Sequence, residues 1–143
     1  AEGSAQQSNQ AFRFLAADVA RAPELLGRGA FTAVVMNPPY FESGEPSPNA
    51  SVAAARHGAA QAREIFLSAA FQLLDNGGKL FLIEQASALA DVTTALRAHR
   101  LEPKRMQFLY TKPNTPARRV LIEAKKLGRP GLVVEPPDWL QES

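Results

Sequence analysis

Residues 37–40 read Asn37-Pro38-Pro39-Tyr40, the stretch of this chain with the most chemistry in the fewest residues. The Asn37 side-chain oxygen accepts one N–H, and the Pro38 carbonyl accepts another. Two acceptors converging on one point grip an NH2 group by both hydrogens. They also stabilise positive charge as it develops on the nitrogen. A conjugated amine or a carboxamide needs that help, because its lone pair is spread into a neighbouring π system. It attacks well only when held in line with its electrophile. Each proline fixes its own φ and lacks an N–H, and each drives the residue before it into an extended conformation. Asn37 and Pro38 are therefore both held extended, with their oxygens aimed reproducibly. Tyr40 offers a ring face to a planar group, and stacking a base on such a face contributes about 1–3 kcal/mol. Phe41 is either a second wall of that slot or a core residue. The plainer alternative for the tetrapeptide is a proline turn that stops a strand.

The elements around it must position these groups. Residues 31–36 form an apolar run that reads as a buried strand, so the motif follows a strand's carboxyl end, where open α/β sheets place their ligands. Upstream, 12–17 alternates enough for a strand ending at Asp18, and a short helix is expected around Pro23–Leu26. Gly27-Arg28-Gly29 precedes a strand, whereas a dinucleotide loop must follow a strand and open a helix. Residues 41–51 are rich in turn formers and read as a loop; the Ala-rich stretch 52–58 reads as helical. Residues 60–74 place Ile65, Phe66, Ala69, Ala70, Leu73 and Leu74 at helical spacing. Asn76-Gly77-Gly78 ends that helix, and 79–83 is a second buried strand. A helix over 87–99 turns Leu89, Val92 and Leu96 inward. Strands at 104–110 and 118–124 follow, joined by a connection too long for a tight turn. Residues 132–134 add an edge strand, since Pro136 and Pro137 exclude an interior one. Alternation of this kind predicts helices on both faces of a mostly parallel sheet, and the closing strand pair requires one antiparallel strand.

The 143 residues suit a single domain, and 45% hydrophobic content is enough for a core. No stretch approaches the roughly 20 apolar residues of a membrane span. Cysteine is absent, which excludes a disulfide framework and thiolate metal sites; with only His57 and His99, no metal centre is expected. The formal charge of +2 hides an asymmetry. Residues 97–129 hold ten basic and two acidic residues, while 1–96 is net negative. A basic half of this kind fits a polyanionic partner or an ordinary solvated face. Residues 1–10 are small and polar and read as flexible. Ala1 is not an initiator Met, so the chain reads as following a cleaved signal or as part of a longer protein, the second being favoured.

Residues 12–134 resemble the second part of the class I, Rossmann-like methyltransferase fold, from its third strand to its seventh. The resemblance rests on Asn37-Pro38-Pro39-Tyr40 after the fourth strand. It rests also on residues 73–80 at the approach to the fifth strand, and on the closing hairpin. It implies an α/β fold with a mostly parallel sheet and a C-terminal antiparallel hairpin, lacking the first two strands: one partial domain over 1–143. More narrowly, Met36 to Phe41, then Ala55-Arg56-His57, then 119–126 followed by 131–134 and Pro136-Pro137, is similar to the bacterial tRNA(Val) adenine-N6 methyltransferases. This implies an S-adenosylmethionine-dependent, cytoplasmic enzyme acting on the N6 amine of adenine in RNA, with tRNA as its partner and no metal or membrane. Catalysis would fall to Asn37, Pro38, Pro39 and Tyr40, and cofactor contact to Asp18, Val19 and Asn37. Substrate contact would fall to Tyr40, Phe41, Arg56, His57, Arg118 and Arg119. Asp18 would accept from the cofactor's adenine or cap a helix. Arg56 and His57 would order the preceding loop, touch phosphate, or simply sit on the surface. Arg118 and Arg119 are phosphate contacts or ordinary edge charge. The glycine-rich turn and acidic residue that grip most of the cofactor are not in this sequence, so the N-terminal part of the same protein is an expected partner. The alternatives are a protein glutamine-N5 methyltransferase of the release-factor type, a DNA adenine methyltransferase, and a non-catalytic nucleic-acid-binding remnant.

Overall fold

Strict alternation of buried and exposed residues from Lys79 to Gln85 marks a strand with two different faces, and the sheet is assembled around it. The computed structural model describes residues 21–36 and 52–140, with the backbone alone at 52–57 and 59. The expected strand at 12–17, the tail 1–10 and the loop 41–51 lie outside the described residues. The elements are α1 (Ala22–Leu26), β1 (Phe31–Met36), α2 (Val52–Leu73), β2 (Leu74–Gln85), a 3-10 turn (Ala86–Ala88), α3 (Leu89–Ala98), β3 (Leu101–Tyr110), β4 (Arg119–Lys126), β5 (Val133–Val134) and β6 (Asp138–Trp139). The sheet order is β1-β2-β4-β3-β5, with β6 also on β3. β1 and β2 run parallel, and β4 is antiparallel to both β2 and β3. The predicted closing hairpin and its one reversed strand are therefore present, with β4 inserted between β2 and β3.

Helices α2 and α3 pack on one face of this sheet. Leu67, Ala70 and Leu73 of α2, and Val92 and Leu96 of α3, share a core with Leu80, Leu82, Met106, Val120 and Ile122. Burying a side chain of this size stabilises the fold by about 1.5–3 kcal/mol. Among the described residues the opposite face is bare. Val35 is 65% exposed, and Phe81 and Leu121 are also open to solvent.

Several expectations are corrected. The Ala-rich stretch 52–58 and the segment 60–74 form one helix rather than two pieces. Ile65 is exposed while Leu67 is buried, because the inward stripe follows Arg63, Phe66, Leu67, Ala70 and Leu73. The two runs read as buried strands are buried on one side only, since helices cover one face. Asn76-Gly77-Gly78 does not separate helix from strand but lies inside β2. The pairing jumps from Phe31↔Leu74 to Ala33↔Lys79, so β2 loops out three extra residues. Gly77 takes φ +83°, and a Cβ on Gly78 would lie 2.7 Å from the Asp75 carboxylate. Glycine relieves backbone strain at one position of that bulge and crowding at the next. The hairpin strands are also longer than expected, running from Leu101 and to Lys126.

Lys126 explains part of that extension. Its ammonium is buried and donates to the carbonyls of Phe71 and Leu74, each at 2.7 Å. It also lies 4.2 Å from the centroid of the Phe71 ring. A cation on the last carbonyls of a helix satisfies orphan acceptors and complements the helix dipole. Lys126→Met keeps the apolar stem and removes both bonds. It is expected to lower unfolding free energy by about 1.5–3 kcal/mol, the range for bonds to a charged group. Chemical denaturation measures this; an unchanged midpoint would show that water replaces the ammonium without loss.

Candidate active site at the carboxyl edge of the sheet

The parallel pairing of β1 with β2 brings two carboxyl ends together, with Met36 opposite Leu82. Met36 is buried at this edge, and Asn37 follows it directly in the chain. Along the same edge β2 ends at Gln85, opposite Arg119 at the start of β4. The Ala86 N–H donates to the Arg118 carbonyl at 3.0 Å, and the Arg118 N–H donates to the Leu109 carbonyl at 2.8 Å. Arg118 is exposed and Arg119 is half-buried. Backbone pairing thus fixes both arginines on the edge from which the motif departs. Asn37, Pro38, Pro39, Tyr40, Phe41, Asp18 and Val19 lie outside the described residues. Arg56 and His57 lie on the first two turns of α2, with their side chains outside the description.

Glu84, missed in the sequence reading, sits two residues beyond Leu82 on the helix-covered face and is 1% exposed. Its Oε2 lies 3.6 Å from Nε of Arg63, itself 8% exposed and part of the inward stripe of α2. The signal was a carboxylate in phase with Leu80 and Leu82, facing an arginine in phase with Phe66 and Leu67. Taking two charges out of water costs several kcal/mol per ion, which their mutual attraction must offset. The pair links α2 to the carboxyl end of β2.

An apolar trough of about 370 Å3 crosses the bare face, lined by Val35, Phe81, Ile83, Leu121, Gln107 and Glu123 among others. Arg105 lies 3.6 Å from Glu123 and 3.2 Å from Glu135 at its polar end. This is the uncovered middle of a sheet rather than a crevice beyond strand ends, so it fits packed side chains better than a reacting group. The basic segment is likewise partly spent internally. Arg105 serves two carboxylates, Arg97 lies 3.3 Å from Glu102, Lys126 is buried, and Lys104 donates to the Arg129 carbonyl.

A parallel core pair with a reversed strand inserted next to it is the sheet of a Rossmann-like methyltransferase, and comparison with solved structures bears this out. An Agrobacterium tumefaciens protein predicted to be an O-methyltransferase superposes with a TM-score of 0.61 at 25% identity, covering 85% of this chain and 50% of that one. A Thermus thermophilus protein described as a DNA modification methylase superposes at 0.60, with 14% identity over 78% of this chain and 51% of that one. Residues 2–113 match the model of the Eco57I restriction-modification methylase family, and the chain belongs to that family. It is also 31% identical, over 99 residues, to the tRNA1(Val) (adenine(37)-N6)-methyltransferase of two Porphyromonas gingivalis strains. That match takes in 69% of this chain and 39% of the relative, so the chain spans well under half the length of these curated relatives.

Glu84→Ala removes the carboxylate that faces Arg63 in an apolar layer. It is expected to destabilise the fold by about 3–5 kcal/mol. Replacing both, as Arg63→Met with Glu84→Leu, should restore most of that. Urea midpoints for the three variants decide it: a double variant no more stable than the single would show that the pair is not the origin of the loss.

Proposed function

We propose that this chain is part of an S-adenosylmethionine-dependent N-methyltransferase that modifies the N6 amine of adenine in RNA, with tRNA as the substrate class. The observation that carries the reading is the β1–β2 register, which brings the chain to the sheet's carboxyl edge at the residue before Asn37. That is where an open α/β sheet offers a ligand site, and the identity to the Porphyromonas gingivalis relatives supports the substrate. The cofactor, when bound, supplies an electrophilic methyl group on a sulfonium, and Asp18, Val19 and Asn37 would hold it.

The chain's own contribution is to the nucleophile. The Asn37 amide oxygen and the Pro38 carbonyl accept the two N–H groups of the adenine amine, which turns its lone pair out of ring conjugation. As the nitrogen takes the methyl group and the methyl–sulfur bond breaks to leave a neutral thioether, the same two oxygens would stabilise charge on nitrogen, whose surplus proton passes to water. Pro39 keeps Pro38 extended, and Tyr40, with Phe41, stacks the extruded base, which must leave its helix to react. Arg56, His57, Arg118 and Arg119 contact the surrounding phosphates. A second reading, DNA adenine methylation, is favoured by the family to which residues 2–113 belong.

Asn37→Ala is expected to cut methyl transfer by about a hundredfold or more, the scale of one lost electrostatic donor or acceptor at a reacting centre, while RNA still binds. Activity within a few-fold of the parent would remove Asn37 from its role. Radiolabelled cofactor offered with unmodified tRNA, adenine-containing duplex DNA and a release factor side by side separates the substrates. Label in DNA alone would replace the RNA reading.

The bare sheet face belongs to the same proposal, as the seat of further polypeptide of the same methyltransferase. Apolar runs at 31–36 and 79–83 suit strands covered on both faces, and the curated relatives are more than twice as long as the matched region. Intact mass measurement on the native protein tests this; a mass equal to these 143 residues alone would overturn it.

A further inference from the structure

The one tryptophan of the chain is Trp139, and it is 53% exposed. It is nevertheless firmly placed. β6 pairs with the end of β3, Tyr110 beside Trp139, and the Leu140 N–H donates to the Tyr110 carbonyl at 2.7 Å. The two rings lie 5.9 Å apart at an interplanar angle of 50°. Tyr110 therefore backs the indole from one side and leaves much of it to solvent. The Asp138 carboxylate accepts the Trp139 N–H at 2.8 Å, so the nearest acidic group is engaged by backbone. The connection out of Tyr110 carries exposed Lys112, and exposed Arg118 is anchored to the Leu109 carbonyl at the other end of that connection. An ordered, solvent-facing aromatic pair flanked by two cations has the composition of a stacking platform for single-stranded nucleic acid.

We propose that Trp139, backed by Tyr110, stacks a nucleotide a few positions along the strand from the methylated adenine, with Lys112 and Arg118 on its phosphates. The proposal rests on the nucleic-acid methyltransferase reading above. β6 lies on the same sheet edge as the end of β1, four strands away, which is about 19 Å at the usual strand spacing. That separation is too large for Trp139 to touch the reacting base. It suits a nucleotide further along the strand, so Trp139 is a specificity residue and not a catalytic one.

Because Trp139 is the sole indole of these 143 residues, the fluorescence of this chain reports the event. Titration with a single-stranded oligoadenylate of about twelve nucleotides, within the site sizes of such platforms, is expected to quench the emission saturably by half or more. Affinity should fall about sevenfold for a fourfold rise in salt, the slope for two neutralised phosphates on a single strand. The Lys112→Ala, Arg118→Ala double variant should flatten that slope. Trp139→Ala should raise KM for tRNA about tenfold with kcat within twofold, while Trp139→Phe recovers most of the loss. No quenching by oligoadenylate or tRNA, or a Trp139→Ala variant with unchanged KM, overturns the platform and leaves the methyltransferase reading standing. Quenching by a protein that transfers no methyl group to any nucleic acid overturns that reading and leaves the platform.

Discussion

The site hangs on one pairing, the parallel register between β1 and β2. Parallel neighbours cannot be joined by a tight turn; they need a crossover, and α2 provides it. The register must also be held against slippage, since a shift of one residue turns every side chain to the other face. Leu80, Leu82 and Glu84 would then meet solvent, and Phe81 and Ile83 would enter the helix layer. The looped-out Asn76-Gly77-Gly78 segment takes up the slack between the end of α2 and Lys79. Gly77 supplies a positive φ, and at Gly78 a Cβ would crowd the Asp75 carboxylate and carbonyl. Two glycines thereby help decide where β1 ends, at Met36, against β2.

Much of this was legible in the residues. The strand expected at 118–124 and the helical spacing at 87–99 depend on neighbours along the chain, and both elements formed, with Val92 and Leu96 inward. The strand pair expected at 104–110 and 118–124 announced itself by breaking the strand–helix alternation. What failed to show was tertiary in origin. Asn-Gly-Gly is a helix stop and a bulge in the same letters, and only the pairing of Phe31 with Leu74 distinguishes them. Ile65 and Leu67 suit an apolar stripe equally well; the position of the sheet chooses Leu67. Of the candidate site, Arg118 and Arg119 lie on the edge their strand predicted. The Arg63–Glu84 pair was hidden because a charge in an apolar phase normally argues against burial.

The two faces of the sheet differ in a way that composition alone explains poorly. A strand in a half-solvated sheet ordinarily alternates apolar with polar residues. β4 nearly obeys, with Arg119, Glu123 and Lys125 facing out, but Leu121 does not, and neither does Val35 of β1 or Phe81 of β2. These apolar residues cluster on neighbouring strands around one trough, while the Arg105–Glu123–Glu135 charges mark its margin. An apolar centre with a charged rim is the composition of a packing interface. The helix-covered face is finished, with a continuous core, whereas the bare one has side chains suited to a second layer.

Charge is placed with similar economy. A buried ion pair such as Arg63–Glu84 is weak support for stability, because an apolar pair of the same volume would pack without desolvating two ions. Its value lies in geometry: an arginine and a carboxylate in a low-dielectric layer tolerate few relative positions, whereas leucines tolerate many. Placed between α2 and the end of β2, the pair fixes the helix against the strand edge from which the Asn37 segment departs. The same helix carries Arg56 and His57 two turns earlier, so a rigid attachment at Arg63 also limits how far those residues can move relative to that edge. Arg97, Lys104, Arg105 and Lys126, distant from the edge, are meanwhile engaged by carboxylates and carbonyls of the chain. The exposed cations Lys112 and Arg118 remain beside the strand ends, where a polyanion lying along the sheet's carboxyl rim would meet them.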